Sequence, residues 1–153
     1  MATDNDLLQL GFTPCKVTAR ELGIDHVDPH GRGPFCRLTV EDTAPLNAGV
    51  YAWAVNESVM YVGKARVLRQ ITQGVKMARA YNDYTYMPPS KVGSLGSPRV
   101  RVNGLLNAAM THGDYVTWWW VETPSEILAT ALEAELINNW TPEWNRTRPV
   151  VPN

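Results

Sequence analysis

The chain has little that would place it outside the cell or in a membrane. Its 153 residues include only two cysteines, Cys15 and Cys36, and nothing else suggests secretion. They therefore read as reduced thiols of a cytoplasmic protein. No apolar run approaches the roughly 18 residues that a bilayer span requires. The opening Met1-Ala2-Thr3-Asp4-Asn5-Asp6 is polar and acidic, unlike a signal peptide. There is no Cys-x-x-Cys, and Pro29 interrupts His26 and His30, so a zinc site is not expected. Repeats and low-complexity tracts are absent as well. What is left is a globular chain whose length suits one domain with a real core.

Net charge is also nearly lacking, at -1, but its distribution is uneven. Residues 1–63 carry four Lys/Arg against eight Asp/Glu, and residues 105–153 carry two against six. Residues 64–104 carry eight (Lys64, Arg66, Arg69, Lys76, Arg79, Lys91, Arg99 and Arg101) against one, Asp83. A localised basic surface is what contact with a phosphate backbone needs, because binding releases condensed counterions. The same segment could also be a solvated basic surface with no partner.

Residues 1–46 read as an N-terminal extension packed on the core, with a short helix over 17–22, a strand over 35–40 and a turn over 42–47. Residues 49–55 and 59–63 are rich in β-branched and aromatic residues and form a hairpin around Asn56-Glu57-Ser58. Side chains alternate faces along a strand. A three-residue loop sets Val55 opposite Val59, Trp53 opposite Tyr61 and Tyr51 opposite Gly63. Tyr51, Trp53 and Tyr61 then share a face, whereas a two-residue loop would separate the tyrosines. Gly49 and Gly63 each weaken a strand unless another group approaches closely.

Helical spacing of Leu68, Ile71, Val75 and Ala78 predicts a helix over 65–80. A long Pro-, Gly- and Ser-containing loop follows to residue 98. A second helix covers 99–110, with Val102, Leu105, Leu106 and Ala109 inward, closed by His112-Gly113-Asp114. A strand covers 115–122. A third helix starts after Ser125, a suitable N-cap, and runs to about residue 139, where Thr141-Pro142 stops it. Trp118-Trp119-Trp120 must alternate faces, so at least one belongs to the core. This order predicts an α/β (α+β) fold: a small three-stranded, mostly antiparallel sheet flanked by helices. The expected organisation is an extension over 1–46, a domain over 47–146 and a tail over 147–153.

Three short motifs stand out: Gly49-Val50-Tyr51; Tyr61-Val62-Gly63; and, about seventy residues on, Glu133-Ala134-Glu135-Leu136-Ile137 followed by Pro142-Glu143-Trp144-Asn145. Taken alone, the tyrosines could pack a core. Glu133 and Glu135 lie about 200° apart on a helix, so at most one can face a site. In this order, however, the motifs resemble the GIY-YIG nuclease superfamily, in its compact single-domain bacterial or phage form. The resemblance covers about residues 47–146.

That resemblance implies a metal-dependent endonuclease that hydrolyses DNA phosphodiester bonds, leaving 5′-phosphate and 3′-hydroxyl ends. Such chemistry needs a water aimed in line, neutralised phosphate oxygens and an assisted leaving oxygen. A bound Mg²⁺ (or Mn²⁺) meets the last two needs. It keeps most of its waters, so one carboxylate can hold it. By resemblance Glu133 is that metal ligand, placed three residues before Leu136-Ile137. Tyr51 orients the attacking water, Tyr61 and Lys64 hold the phosphate, and Asn145 braces the site. Lys64 could also supply the cation that a tyrosine of ordinary pKa near 10 needs to act as a base.

The family's phosphate-clamping Arg falls at Ile71, and its usual His or Tyr at Val75. Arg69 is the nearest substitute, with Arg66 and Arg79 in reach. The nucleic-acid-binding set expected from the basic segment is Arg66, Lys76, Arg79, Lys91, Arg99, Arg101 and Asn103. The run Arg99-Val100-Arg101-Val102-Asn103 opens a helix, a position suited to phosphate. DNA is the expected partner and no membrane contact is expected. Specificity would come from the basic segment, the N-terminal extension, a protein partner or a homodimer. Two other readings stay open: a module that kept the fold and binds nucleic acid without cutting, and a protein-interaction domain.

Overall fold

In the computed structural model the described residues are 1–21, 34–41, 43–70, 74–75, 81 and 98–146. They form helix α1 (Asp4–Gln9), strands β1 (Thr13–Glu21), β2 (Cys36–Val40), β3 (Gly49–Val55) and β4 (Ser58–Ala65), the two-residue strands β5 (Arg69–Gln70) and β6 (Gly74–Val75), helix α2 (Pro98–Thr111), strand β7 (Val116–Glu122) and helix α3 (Glu126–Trp140). Five strands make one sheet in the order β2-β1-β7-β3-β4, with every pairing antiparallel.

The α+β class stands, but the sheet has five strands rather than three. The two additional strands come from the first 46 residues. Residues 17–21 belong to β1, not to a helix. Cys15 is buried and Val17 packs on the core, while Lys16, Thr18 and Arg20 point outward, the two-residue alternation of a half-buried strand. β2 alternates the same way, with Cys36, Leu38 and Val40 buried.

The helix expected over 65–80 is also corrected where the chain is described. Ala65 ends β4, and Arg69–Gln70 pairs with Gly74–Val75. Leu68 is fully buried, its amide donating to the carbonyl of Asn47. Gly74 and the β-branched Val67, Ile71, Thr72 and Val75 lower helix propensity, so the apolar spacing alone is a weak signal. Ile71, Lys76 and Arg79 lie outside the described residues.

The sheet has a core on each face. On one, Tyr51, Trp53 and Trp118 pack with Val102 and Leu106 of α2. On the other, Val50, Ala52, Val62 and Trp119 pack with Leu136 and Ile137 of α3 and with Leu7 and Phe12 near α1. The tryptophan run does alternate faces. α2 closes at Gly113, whose φ of 92° suits a residue without Cβ. α3 begins at Ser125, whose hydroxyl accepts from the Leu128 amide at 3.2 Å, and stops at Thr141 with φ 43°. Both cysteines are buried and free, and burial pushes the Cys36 thiol up to about 12. No described helix is long and apolar enough to cross a membrane.

Candidate active site

The hairpin brings the two tyrosine motifs together, though by a route the sequence does not reveal. The loop is the two-residue Asn56-Glu57, with Val55 opposite Ser58. Asn56 takes the left-handed conformation that asparagine tolerates. That loop alone would put the tyrosines on opposite faces. A bulge restores them, because Ala54 pairs with Val59 and Trp53 with Tyr61, leaving Met60 as an extra residue. Tyr51 therefore faces Gly63, and the Tyr51 and Tyr61 rings lie 6.4 Å apart.

Gly63 is where the close approach occurs. A Cβ there would lie 2.4 Å from Cζ of Tyr51 and 2.5 Å from its hydroxyl. The Tyr51 ring thus lies across Gly63, toward the outer side of β4. Gly49 is equally constrained, since a Cβ would meet the carbonyl of Val121 at 2.3 Å. Tyr51 is only 3% exposed and also contacts the Trp118 ring at 6.0 Å. Its hydroxyl lies 3.2 Å from that of Tyr81, itself fully buried and edge-on to Trp53. Tyr61 is half-buried. No sequence signal marked Tyr81, which opens what read as an irregular loop.

β4 is an edge strand, and residues from the end of the chain cover its outer side. The Trp144 amide donates to the carbonyl of Met60 at 2.8 Å. The side-chain amide of Asn145 accepts from the Val62 N–H and donates to the Val62 carbonyl, both at 2.9 Å. One alternation further on, the Lys64 N–H lies close enough to the Glu133 carboxylate to favour its ionised form. The strand bearing Tyr61 and Gly63 is thus held by Trp144 and Asn145 of the turn after α3, with Glu133 of α3 beside its end.

Glu133 sits at the rim of the buried stripe of α3, half-buried, while Glu135 is exposed. Burial raises its carboxyl pKa above the ordinary value of 4.5, and the Lys64 charge and N–H partly oppose that shift. The Lys64 ammonium donates to the Thr130 hydroxyl at 2.9 Å, on α3. Its charge therefore acts on Glu133, across the sheet from the face that carries Tyr51 and Tyr61. Among the described residues, Arg101 is instead a cation that lies near Tyr61 and Tyr81. Its guanidinium donates to the Trp144 carbonyl, and its pKa is lowered by burial and by Arg146 beside it.

The remaining expected residues are scattered. Arg69 is half-buried on β5, its Nε donating to the Ala44 carbonyl at 2.6 Å. Arg66 is exposed at the end of β4. Arg99 lies in the first turn of α2, its side chain outside the description, and Lys91 lies outside it entirely. Asn103 is fully buried, accepting from the Cys36 N–H and donating to the Cys36 carbonyl, both at 3.0 Å. An amide so engaged ties α2 to β2 and has no face left for nucleic acid, which corrects its assignment to the binding surface.

One carboxylate at the edge of a strand is a sparse donor set. Among the described residues, no three Asp, Glu, His or Cys side chains group together to hold a metal. A half-buried carboxylate whose charge is opposed by burial suits a hard cation that keeps most of its water. Glu133 therefore fits a hydrated Mg²⁺ better than a metal needing a full protein cage.

No family model matches the chain, and no curated protein matches its sequence. Among solved structures, a point mutant of bacteriophage T4 EndoII has a similar fold, with a TM-score of 0.50 at 15% identity. The match spans 95% of this chain and 99% of the EndoII chain. At that identity the likeness is one of fold.

Proposed function

We propose that the chain is a metal-dependent endonuclease that hydrolyses DNA phosphodiester bonds, with one Mg²⁺ held by Glu133. The observation that carries this reading is the convergence on β4. Asn145, about eighty residues beyond the hairpin in sequence, bonds to the strand that carries Tyr61 and Gly63, and Glu133, about seventy residues beyond it, lies close enough to Lys64 of that strand for its ionisation to respond. Core packing alone would not require a half-buried carboxylate at this edge. The likeness to EndoII, an endonuclease by its name, supports a nuclease fold.

In this reading Tyr61 positions the scissile phosphate and Asn145 holds Tyr61's strand in register. Bound at Glu133, Mg²⁺ supplies charge neutralisation at the phosphate and at the leaving 3′ oxygen. Tyr51 is the expected water-orienting group. Its hydroxyl is buried and engaged with Tyr81, so it reaches a water only by exchanging that bond. Lys64 tunes Glu133 and, where it leaves Thr130, can hold phosphate. Arg69 stays a clamp candidate, with Arg66, Lys76, Arg79, Lys91 and Arg99 as backbone-binding cations. Target choice rests with this basic segment, with a protein partner or with a second copy of the chain.

The burial of Tyr51 favours one second reading, a DNA-binding module without catalysis. A cleavage assay on supercoiled, linear, branched and single-stranded DNA separates the two. Wild type in Mg²⁺ or Mn²⁺ is run beside Glu133→Ala and an EDTA control. Metal-dependent cutting lost in Glu133→Ala supports the nuclease. A wild type that shifts DNA on a gel but cuts nothing sinks it in favour of the binding module.

A further inference from the structure

We propose that Arg101 and Arg146 together form a phosphate-binding subsite beside Tyr61, taking a backbone phosphodiester of the nucleic acid. This inference rests on the nuclease reading above for its catalytic part. The two arginines come from different elements, the first turn of α2 and the residue after Asn145. The turn that carries Arg146 is fixed to both sides of Tyr61, through Trp144 on Met60 and Asn145 on Val62. Arg101 is fixed to the same turn by its bond to the Trp144 carbonyl. The two guanidinium groups lie close enough to repel each other, beside the turn that brackets Tyr61.

Their electrostatics are those of a site that awaits an anion. Arg101 is half-buried, is repelled by Arg146 and lies close to Tyr61 and Tyr81. Among the described residues, neither arginine is paired with a carboxylate, although residues 105–153 hold six acidic side chains against two basic ones. Holding like charges together without a counter-charge is unfavourable. A phosphodiester between them removes that cost, and a guanidinium fork matches its oxygens. Ile71 stands where the resemblance leads one to expect an arginine, so a cation delivered from α2 and the final turn fills a gap.

The test uses the full chain in two assays. Binding of a labelled DNA duplex is followed by fluorescence anisotropy in EDTA over a range of KCl, and plasmid cleavage is followed in Mg²⁺. The variants are Arg146→Gln, Arg146→Lys and Arg101→Lys, with thermal melts of each. Arg146 is exposed, so its variants are expected to melt with wild type. For Arg146→Gln the slope of log affinity against log salt should fall by about one. Its cleavage should fall by about tenfold or more, as expected for losing a charge-stabilising donor. Arg146→Lys should restore the slope but not the full rate, because the fork is gone. Arg101→Lys should keep the slope and lower the rate likewise. If Arg146→Gln keeps both wild-type slope and wild-type rate while wild type cuts, the subsite is overturned and the nuclease reading survives. If wild type binds without cutting, and Arg146→Gln still flattens the slope, the subsite stands and the nuclease reading falls. A wild type that neither binds nor cuts overturns both. An Arg101→Lys that melts lower but cuts at the wild-type rate removes Arg101 from the subsite and leaves it a brace for Trp144.

Discussion

The side-chain amide of Asn145 pairs with Val62 as a neighbouring strand would, accepting from its N–H and donating to its carbonyl at 2.9 Å each. Val62 lies in an edge strand, whose outward backbone groups would otherwise face water or another chain. Asn145→Asp keeps the acceptor and replaces the donor with a second acceptor facing the Val62 carbonyl. Leaving a half-buried group unsatisfied costs about 1–3 kcal/mol. The expected result is a lower melting temperature for Asn145→Asp and Asn145→Ala, with cleavage reduced in both. An Asn145→Ala that melts with wild type would show that the pairing holds nothing in place.

Gly63 is the second place where one atom decides the geometry. A Cβ would lie 2.4 Å from Cζ of Tyr51, and that ring is hemmed in by Trp118 and bonded to Tyr81. Gly63→Ala must therefore move a buried ring, at a cost of about 1–3 kcal/mol typical of overpacking. Loss of both stability and cleavage is expected from thermal melts and the plasmid assay. Gly104→Ala is the control, because its Cβ would meet only Phe35 at ordinary contact distance, 3.5 Å.

The parts of this fold that were legible in sequence are those with local signals. Ser125 and Thr141 bound α3 because caps and stops are short-range chemistry. The hairpin declared itself through alternating β-branched and aromatic residues, and Gly63 through its misfit in a strand. The shared face of Tyr51 and Tyr61 followed from counting loop residues, yet the count assumed a three-residue loop. A two-residue turn and the bulge at Met60 reach the same register, and nothing in the sequence distinguishes one from the other. The sequence conceals strand β1 because Pro14 and Ala19 interrupt its alternation, and its partner β7 is distant in sequence. Over 65–75 the apolar spacing suggests a helix, while Gly74 and the β-branched Val67, Ile71, Thr72 and Val75 oppose it. Tyr81, Thr130 and Arg146 matter through tertiary contacts, which no local pattern records.

Glu133 provides a test that does not depend on cutting. Its folded pKa is raised above the ordinary 4.5, chiefly by burial. A raised acid contributes stability that is fully present below the unfolded value and lost as pH rises through the folded value. At neutral pH the ionised carboxylate is therefore a liability in the metal-free chain. Glu133→Gln keeps the shape and polarity of the side chain without the charge. It should melt at or above wild type at pH 7, with the difference shrinking as pH falls toward the ordinary carboxylate range. Added Mg²⁺ should raise the wild-type melting temperature, as any ligand of the native state does, and leave Glu133→Gln unmoved. Equal shifts in both proteins would remove Glu133 as the metal ligand.

Lys64 should act on the reaction through that same carboxylate. Its ammonium, bonded to Thr130, lowers the Glu133 pKa against the larger effect of burial. Lys64→Gln removes the charge but keeps the backbone N–H that also favours the Glu133 carboxylate. The Glu133 pKa should then rise further, so the carboxylate becomes available to a cation only at higher pH. In cleavage measured across pH at saturating Mg²⁺, the acid limb of the profile should move to higher pH. The plateau above that limb answers a separate question. If it drops in Lys64→Gln, the side chain also meets the phosphate, whereas an unchanged plateau with a shifted limb confines Lys64 to tuning Glu133. A limb that stays in place would mean that Glu133 and Lys64, although neighbours at the edge of β4, do not share control of the ionisation on which cutting depends.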